Sequence, residues 1–198
     1  MYKPVWRGLG AILLALTLAG CGTPQPSFNN TDITGSDCCK DFRLTDHHGK
    51  TRTLEDFRGK VVIIFFGYTQ CPDVCPTTMA ELKAAMQELG PDAQRVQVLF
   101  VTLDPERDTR ELLASYVPAF DPDFLGLYGD PETTAKTAKE FRIFYQKRPG
   151  PTPGSYTLDH TAGSYVFDPQ GRVRLFVRYG GDGGAKLVAD LRTLLRQS

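Results

Sequence analysis

The run Val61-Val62-Ile63-Ile64-Phe65-Phe66 constrains the fold most, because six consecutive apolar residues leave no polar face. Such a run is typical of a central strand that is buried on both faces of a sheet. Val96 to Leu103 is a second run of the same kind. A segment with helical character follows each one, at Thr77 to Leu89 and at Thr109 to Tyr116. This alternation predicts an α/β fold with helices on both faces of the sheet.

Two antiparallel pairs make the predicted sheet mixed. An N-terminal β-hairpin is predicted from Phe42 to Leu54, and a second pair is predicted at Gly163 to Phe167 and Val173 to Val177. The other predicted elements are a strand, a helix, a loop rich in Pro and Gly and a closing helix: Leu125 to Tyr128, Asp130 to about Phe144, Lys147 to Thr157 and Lys186 to Leu195. The sequence therefore predicts a central mixed sheet flanked by helices, with the loop as a candidate gate.

The N-terminal residues have the pattern of an export signal. Lys3 and Arg7 precede an apolar run, Leu9 to Ala19, that is short for a membrane span. The run ends in Leu18-Ala19-Gly20-Cys21, which resembles the lipobox of bacterial lipoproteins. We expect a signal peptide at residues 1–20, a tether at 21–35 lipidated on Cys21, and one domain at 36–198. A plain secretory signal or an uncleaved anchor is the alternative.

The charge balance excludes a nucleic-acid-binding class. The 198-residue chain has 23 Lys and Arg against 23 Asp and Glu, so its formal net charge is zero. A nucleic-acid footprint needs a strongly basic surface. We expect a monomer on the extracytoplasmic side of a cell membrane, held there by lipid.

Two cysteines lie where a functional site is expected. Cys71 and Cys75 fall between the central strand and its following helix, and a helix N-terminus lowers thiol pKa values. In an oxidising compartment such thiols are paired, metal-bound or redox-active. Three interpretations remain open: a structural disulfide, a thiol–disulfide oxidoreductase with one residue more than the usual Cys-x-x-Cys spacing, and a metal site.

A metal site needs a further ligand, and His160 is the candidate. It lies between the loop and the penultimate strand, where an ordinary surface histidine is the alternative. Asp159 is a candidate to orient the imidazole, and Asp73 is a candidate to tune the site by its charge. His47 and His48 fall in the hairpin turn, where we expect them to be solvated.

Four ordered blocks resemble the SCO/SenC family of copper-binding, thioredoxin-like assembly proteins. The resemblance covers Ile33 to about Leu195. Its blocks are the opening, made of Ile33 to Gly35 and Phe42 to Lys60, then Gly67 to Pro76 with both cysteines, Asp104-Pro105-Glu106-Arg107-Asp108-Thr109, and Asp159-His160-Thr161. The resemblance implies a thioredoxin-like sheet that brings His160 close to the cysteine loop.

The resemblance also implies a function. Cys71, Cys75 and His160 are expected to hold one Cu(I) or Cu(II), and a Cys71–Cys75 disulfide is expected to exclude it. The implied partners are cytochrome c oxidase subunit II, whose dinuclear copper site would be assembled, and other periplasmic copper chaperones. We expect binding and delivery rather than turnover. The alternatives are a membrane-tethered reductase of the oxidase thiols and, more remotely, a peroxiredoxin-like peroxidase.

Cys38 and Cys39 depart from the family pattern. Adjacent cysteines can form only a strained vicinal disulfide. We expect two semi-buried small residues at the start of the hairpin, with an auxiliary metal or redox role as the alternative.

Overall fold

The computed structural model describes residues 27–180 and 183–197. Its main sheet has eight strands. In chain order these strands are β1 (Thr31–Asp32), β2 (Leu44–Asp46), β3 (Thr51–Arg52), β4 (Val61–Gly67), β5 (Val96–Thr102), β6 (Leu125–Tyr128), β9 (Ser164–Phe167) and β10 (Val173–Val177). Across the sheet they lie in the order β1-β10-β9-β4-β5-β6-β2-β3. A separate hairpin comprises β7 (Tyr145–Pro149) and β8 (Tyr156–His160), and the helices are α1 (Val74–Leu89), α2 (Arg110–Tyr116), α3 (Pro131–Glu140) and α4 (Gly183–Leu195).

The two apolar runs form the centre of the sheet, as predicted. β4 lies parallel to β5, with Val61 opposite Val96 and Gly67 opposite Thr102, and antiparallel to β9. Every residue of β4 is buried. Because β5 is also parallel to β6 while the outer strands run antiparallel, the sheet is mixed and the predicted fold class is confirmed.

Helices cover both faces of β4. Phe66 packs against Phe141, just after α3, with ring centroids 5.2 Å apart. The next residue, Gly67, faces α1 instead, because a Cβ at this position would lie 2.9 Å from the Cys75 Sγ. Successive strand residues point to opposite faces, so β4 separates two packed layers.

The predicted N-terminal hairpin is confirmed, with shorter strands than expected. β2 pairs with β3, and the Asp46 carboxylate accepts bonds from the backbone N–H groups of His48 and Lys50, both at 2.9 Å. His47 is buried rather than solvated: its Nδ1 accepts the Gly126 N–H at 3.0 Å, where β6 lies beside β2. The turn histidine that was expected to be solvated is therefore structural, whereas His48 is exposed.

The predicted loop from Lys147 to Thr157 is correct at its centre and wrong at its two ends. The ends belong to the strands of the β7–β8 hairpin, in which Tyr145 pairs with His160 and Pro149 with Tyr156. The helix expected to reach Phe144 ends at Glu140, and Arg142 at φ +51° turns the chain towards β7. Only the turn between Gly150 and Ser155 remains irregular.

Part of the expected tether belongs to the domain. β1 pairs with β10 at the edge of the sheet, with Thr31 opposite Phe176. Just before β1, the backbone N–H groups of Asn29 and Asn30 donate to the Asp190 carboxylate in α4 at 2.8 and 2.9 Å. A boundary at residue 35 therefore falls too late for the described residues, since these contacts hold the chain from Asn29 onward. The proposed lipidation residue, Cys21, lies outside the described residues.

Candidate metal centre

The cysteine loop begins where β4 ends. α1 starts at Val74, three residues earlier than predicted, so Cys75 lies in its first turn and is fully buried. Pro76 is tolerated there because the first N–H groups of a helix have no partner within the helix. The backbone N–H of Cys75 points at the Cys71 Sγ across 3.4 Å. The helix start therefore holds the two sulfur atoms together.

A buried carboxylate fixes the loop that precedes the thiols. Asp108 accepts the Thr69 N–H at 3.0 Å, the Thr69 hydroxyl at 2.6 Å and the Thr102 hydroxyl at 2.6 Å. Burial raises the pKa of this carboxyl group. No local pattern in the sequence predicted this role, although Asp108 belongs to the third block of the family resemblance, Asp104 to Thr109. It ties the end of β5 to the loop after β4.

His160 is the last residue of β8 and completes a group of three possible donors. Its Nε2 lies 3.4 Å from the Cys75 Sγ, and its Nδ1 lies 3.1 Å from the Thr161 carbonyl oxygen. Since a carbonyl only accepts, this second contact places a proton on Nδ1, and Nε2 is the ring nitrogen that faces the sulfur. The rings of Phe65 and Tyr68 meet the imidazole edge-on. The three donor atoms all lie within 4.8 Å of one another.

The two thiols have different proton affinities. A hydrogen bond from Cys75 lowers the pKa of Cys71 to about 3, against desolvation, with further lowering by His160 and by the backbone N–H groups of Asp73 and Cys75. The bond to Cys71 and burial raise the pKa of Cys75. One proton is thus shared by the pair, and Cys71 carries the thiolate.

The two expected neighbours of the site have different outcomes. Asp159 does not orient His160: its carboxylate accepts the Arg148 Nε at 2.7 Å, and the Thr161 carbonyl contacts the imidazole instead. The reason is the strand geometry, since adjacent residues of β8 point to opposite faces. Asp73 is exposed and reaches Cys71 through its backbone N–H, while an effect of its carboxylate charge stays a prediction.

Cys38 and Cys39 lie apart from this group. Both are buried in the core, and Cys39 adopts φ +62°. Burial and its neighbour Cys38 raise the pKa of Cys39, so it is a protonated core residue. Among the described residues, the group of three possible metal donors includes neither cysteine. Both residues are more deeply buried than the semi-buried small residues expected at the start of the hairpin.

The donor set suits a soft metal ion. Donor atoms that lie about 2.0–2.3 Å from one ion are at most about 4.6 Å from one another. A small shortening of the donor–donor distances therefore lets all three donor atoms bind the same ion. Thiolates favour Cu(I) and Zn²⁺, and imidazole accepts copper in both oxidation states. Two thiolates and one imidazole also leave a coordination position open.

The comparisons with known proteins agree with this geometry. The SCO1/SenC family model matches residues 30–196. The chain belongs to the SCO1/SenC family. The mitochondrial SCO2 homolog of Bos taurus is 40% identical over 141 residues, which are 70% of this chain and 52% of the relative. The chain thus spans about half the length of the first curated relatives it matches.

Solved structures of the family are similar throughout the domain. ScoI of Bradyrhizobium japonicum with copper bound is 41% identical, has a TM-score of 0.72, and matches over 78% of this chain and 98% of its own. Apo Sco1 of Thermus thermophilus is 44% identical, has a TM-score of 0.74, and matches over 87% and 99%. No helix within residues 27–180 and 183–197 has the length and apolar character to cross a membrane.

Proposed function

We propose that this protein binds one copper ion through Cys71, Cys75 and His160 and passes it on during cytochrome c oxidase assembly. The observation that carries the proposal is the convergence of the three donors, although 85 residues separate Cys75 from His160. Membership of a family that includes copper-bound structures supports the choice of metal. Copper is cargo in this proposal, held and then released.

The residues have distinct roles. The Cys71 thiolate is available at neutral pH, because its pKa is about 3, whereas Cys75 loses its proton when the metal enters. The imidazole Nε2 faces the thiols as the third donor. The open fourth position admits a donor atom of the acceptor, so the ion can pass by ligand exchange. Oxidation of the two thiols to a disulfide removes both sulfur donors and prevents binding.

The proposed acceptor is the dinuclear copper site of oxidase subunit II. The family resemblance implies this partner, with other periplasmic copper chaperones as donors of the ion. Transfer from the copper-loaded chain to an isolated, reduced subunit II fragment tests it. We expect the absorption of the dinuclear site to appear as copper leaves this chain. Failure of transfer between two competent, reduced partners contradicts the assignment of the acceptor.

A copper titration tests the site itself. We would titrate the reduced full-length chain with copper and measure metal stoichiometry and thiolate-to-Cu(II) absorption, beside His160→Ala and a control, His48→Ala, in the exposed turn. We expect one copper per chain, with binding greatly weakened in His160→Ala and unchanged in His48→Ala. Binding of wild-type strength in His160→Ala would falsify the three-donor site.

One observation favours a second function, reduction of disulfides on the oxidase or other exported proteins. Cys71 is a thiolate beside a protonated Cys75, the asymmetry that a thiol reductase uses. The Cys71 thiolate would attack a substrate disulfide and release one substrate thiolate. Cys75, once deprotonated, would then attack Cys71 and release the second, leaving a Cys71–Cys75 disulfide and a substrate reduced by two electrons. This activity does not require the imidazole, so it should persist in His160→Ala.

We also propose attachment to a membrane through a lipid on Cys21. The support is the run Leu18-Ala19-Gly20-Cys21 after a short apolar segment. Cell fractionation with mass spectrometry of the N-terminal peptide tests it. We expect lipid on Cys21 and membrane association that Cys21→Ala loses. A mature Cys21 without lipid contradicts the proposal.

A further inference from the structure

The β7–β8 hairpin supplies His160 but does not belong to the main sheet. Its two strands form a sheet of their own, and the residues of β7 are mostly exposed. An isolated two-stranded hairpin is at best marginally stable in water. The position of His160 over the thiols therefore depends on side chains that fasten the hairpin to the rest of the domain.

Arg107 is the centre of that attachment. Its Nη1 donates to the Tyr156 carbonyl oxygen at 2.9 Å, and its guanidinium carbon lies 3.6 Å from the centroid of the Tyr156 ring. The Arg107 Nε donates to the Asp104 carboxylate at 2.5 Å, and the Tyr156 hydroxyl donates to the same carboxylate at 2.7 Å. Arginine, carboxylate and tyrosine form a closed ring of contacts between the loop after β5 and the start of β8.

The same guanidinium also reaches the cysteine loop. Its Nη1 lies 3.3 Å from the Gln70 Oε1, next to Cys71, and the Tyr68 ring lies beneath it at 5.8 Å. The Tyr68 hydroxyl in turn accepts the backbone N–H of Leu158 at 3.2 Å. Arg107 thus touches both segments that supply metal donors. A flat guanidinium with several fixed donors can join three segments in this way, whereas a lysine ammonium cannot reproduce the fork.

Burial distinguishes these contacts from the other arginine–carboxylate pair of the hairpin. The Asp104 side chain is 1% exposed and that of Arg107 is 20% exposed. The other arginine–carboxylate pair of the hairpin, Arg148 with Asp159, has both side chains more than half exposed and touches neither cysteine segment. Exposed ion pairs contribute little to stability. The hairpin is therefore held by one buried and one exposed arginine–carboxylate pair, and Arg148 can serve as the control for Arg107.

We propose that Arg107 is a positioning residue for the metal centre: it clamps the hairpin through Tyr156 and Asp104 so that His160 stays within reach of Cys75. The inference rests on the proposed copper site. Arg107 contacts no donor atom itself and acts through the placement of the imidazole. Loss of the clamp leaves both thiols in place and lets the third donor move away.

Copper affinity of the full chain tests the clamp. We expect Arg107→Ala to keep one copper per chain but to bind it about 10- to 100-fold more weakly, the usual loss when a residue that orients a ligand is removed. The nitrogen hyperfine signal of the Cu(II) form should weaken, as in His160→Ala. Arg107→Lys should recover part of the affinity, and Arg148→Ala should match wild type. Wild-type affinity and spectrum in Arg107→Ala overturn the proposal.

A measurement on the metal-free protein separates this inference from the copper assignment. We expect hydrogen exchange at the Leu158 amide to be faster in Arg107→Ala than in Arg148→Ala, while amides of β4 exchange as in wild type. If wild type takes up no copper, the proposed function fails while this exchange still decides the clamp. If Arg107→Ala does not fold, Tyr156→Phe removes only the bond to Asp104, and we expect a loss in copper affinity of about 2- to 10-fold. Unchanged exchange and affinity in both folded variants overturn the clamp.

Discussion

The Nε2 of His160 lies 3.4 Å from the Sγ of Cys75, although one residue ends a peripheral hairpin and the other lies in the first turn of a core helix. Cys75 is closely packed: it is fully buried, and its sulfur lies against the end of β4. His160 is half-buried and is held by the hairpin. The centre therefore combines two buried thiols with a donor that a peripheral hairpin supplies.

Gly67→Ala should displace the Cys75 thiol of the metal centre. An added Cβ would lie 2.9 Å from the Cys75 Sγ and 3.1 Å from both Phe65 and Phe100, so the sulfur must shift. We expect weaker copper binding and a shifted thiolate-to-Cu(II) absorption band. The control is Gly126→Ala. This glycine is also buried, but an added Cβ would contact Val117 and Leu113, which are not part of the metal centre. An unshifted band in Gly67→Ala contradicts the close contact.

The two thiols should differ in reactivity. Because the pKa of Cys71 is about 3, its thiolate is fully formed at pH 5 as well as at pH 7. An ordinary thiol loses about tenfold in alkylation rate for each pH unit below its pKa. We expect iodoacetamide to modify Cys71 first in the reduced, metal-free chain, at nearly equal rates at the two pH values. Peptide mass spectrometry identifies the site, and Cys71→Ser should lack the fast phase. A hundredfold fall in rate between pH 7 and 5 is incompatible with the shared proton.

Asp108→Ala should destabilise the domain and loosen the cysteine loop. The substitution leaves the Thr69 N–H without its buried acceptor and breaks two hydroxyl contacts. We expect the free energy of unfolding to fall by about 2–4 kcal/mol, from one orphaned buried donor plus lost bonds. Urea denaturation measures it. Asp92→Ala, which removes an exposed ion pair with Arg95, should change stability by less than about 1 kcal/mol. Equal losses in the two variants contradict the role of Asp108.

His47 should make stability depend on pH. Burial lowers the pKa of His47 below its ordinary value of 6.5, so the unfolded chain takes up a proton at a pH where the folded protein does not. The contribution of the neutral His47 to the free energy of unfolding is therefore complete above pH 6.5. It falls as the pH drops towards the pKa of His47 in the folded protein, by up to about 1.4 kcal/mol per pH unit.

Two variants isolate this effect in urea denaturation between pH 7.5 and 5. His47→Asn keeps an acceptor near the Gly126 N–H but cannot take up the proton, so its profile should be flatter than that of wild type. His48→Asn removes an exposed histidine and should keep most of the slope, because burial is the largest cause of the lowered His47 pKa and the charge of His48 comes second. Parallel profiles for wild type and His47→Asn count against a buried neutral imidazole.

The double variant Cys38→Ser/Cys39→Ser should leave the metal centre intact. Neither residue belongs to the three-donor group, and both are buried. We expect unchanged copper stoichiometry, with stability lower by about 1–3 kcal/mol because two hydroxyl groups replace thiols in an apolar site. Metal analysis and denaturation measure the two effects. A change in stoichiometry instead supports an auxiliary metal role.

The strands of the main sheet were predictable because their apolar runs have one physical explanation. Val61 to Phe66 and Val96 to Leu103 are too apolar for any position but the centre of a sheet. The β7–β8 hairpin was missed for the opposite reason. Residues 145–149 are largely exposed and polar, and the Pro and Gly residues that follow are typical of a loop. The pairing of β7 with β8 is visible only in the structure, from the register of the two strands.

The site was predictable in its residues and not in its supports. Spacing alone placed Cys71 and Cys75 together, but the proximity of His160 depended on sheet order, which the family resemblance supplied. The contacts of Asp108 with Thr69 and of Arg107 with Tyr156 join segments 39 and 49 residues apart. No local pattern encodes such pairings. The charged run from Asp104 to Thr109 was the available signal, and capping explained only Thr109.

The pairing of β1 with β10 also fixes the end of the sheet at which the chain enters the domain. β10 runs parallel to β4, because each is antiparallel to β9, and β1 runs against both. The residues that lead into Thr31 therefore approach from the end of the sheet where β4 delivers its chain to the thiols. Asp190 secures that approach through Asn29 and Asn30. The chain therefore enters the domain at the end of the sheet that carries Cys71, Cys75 and His160.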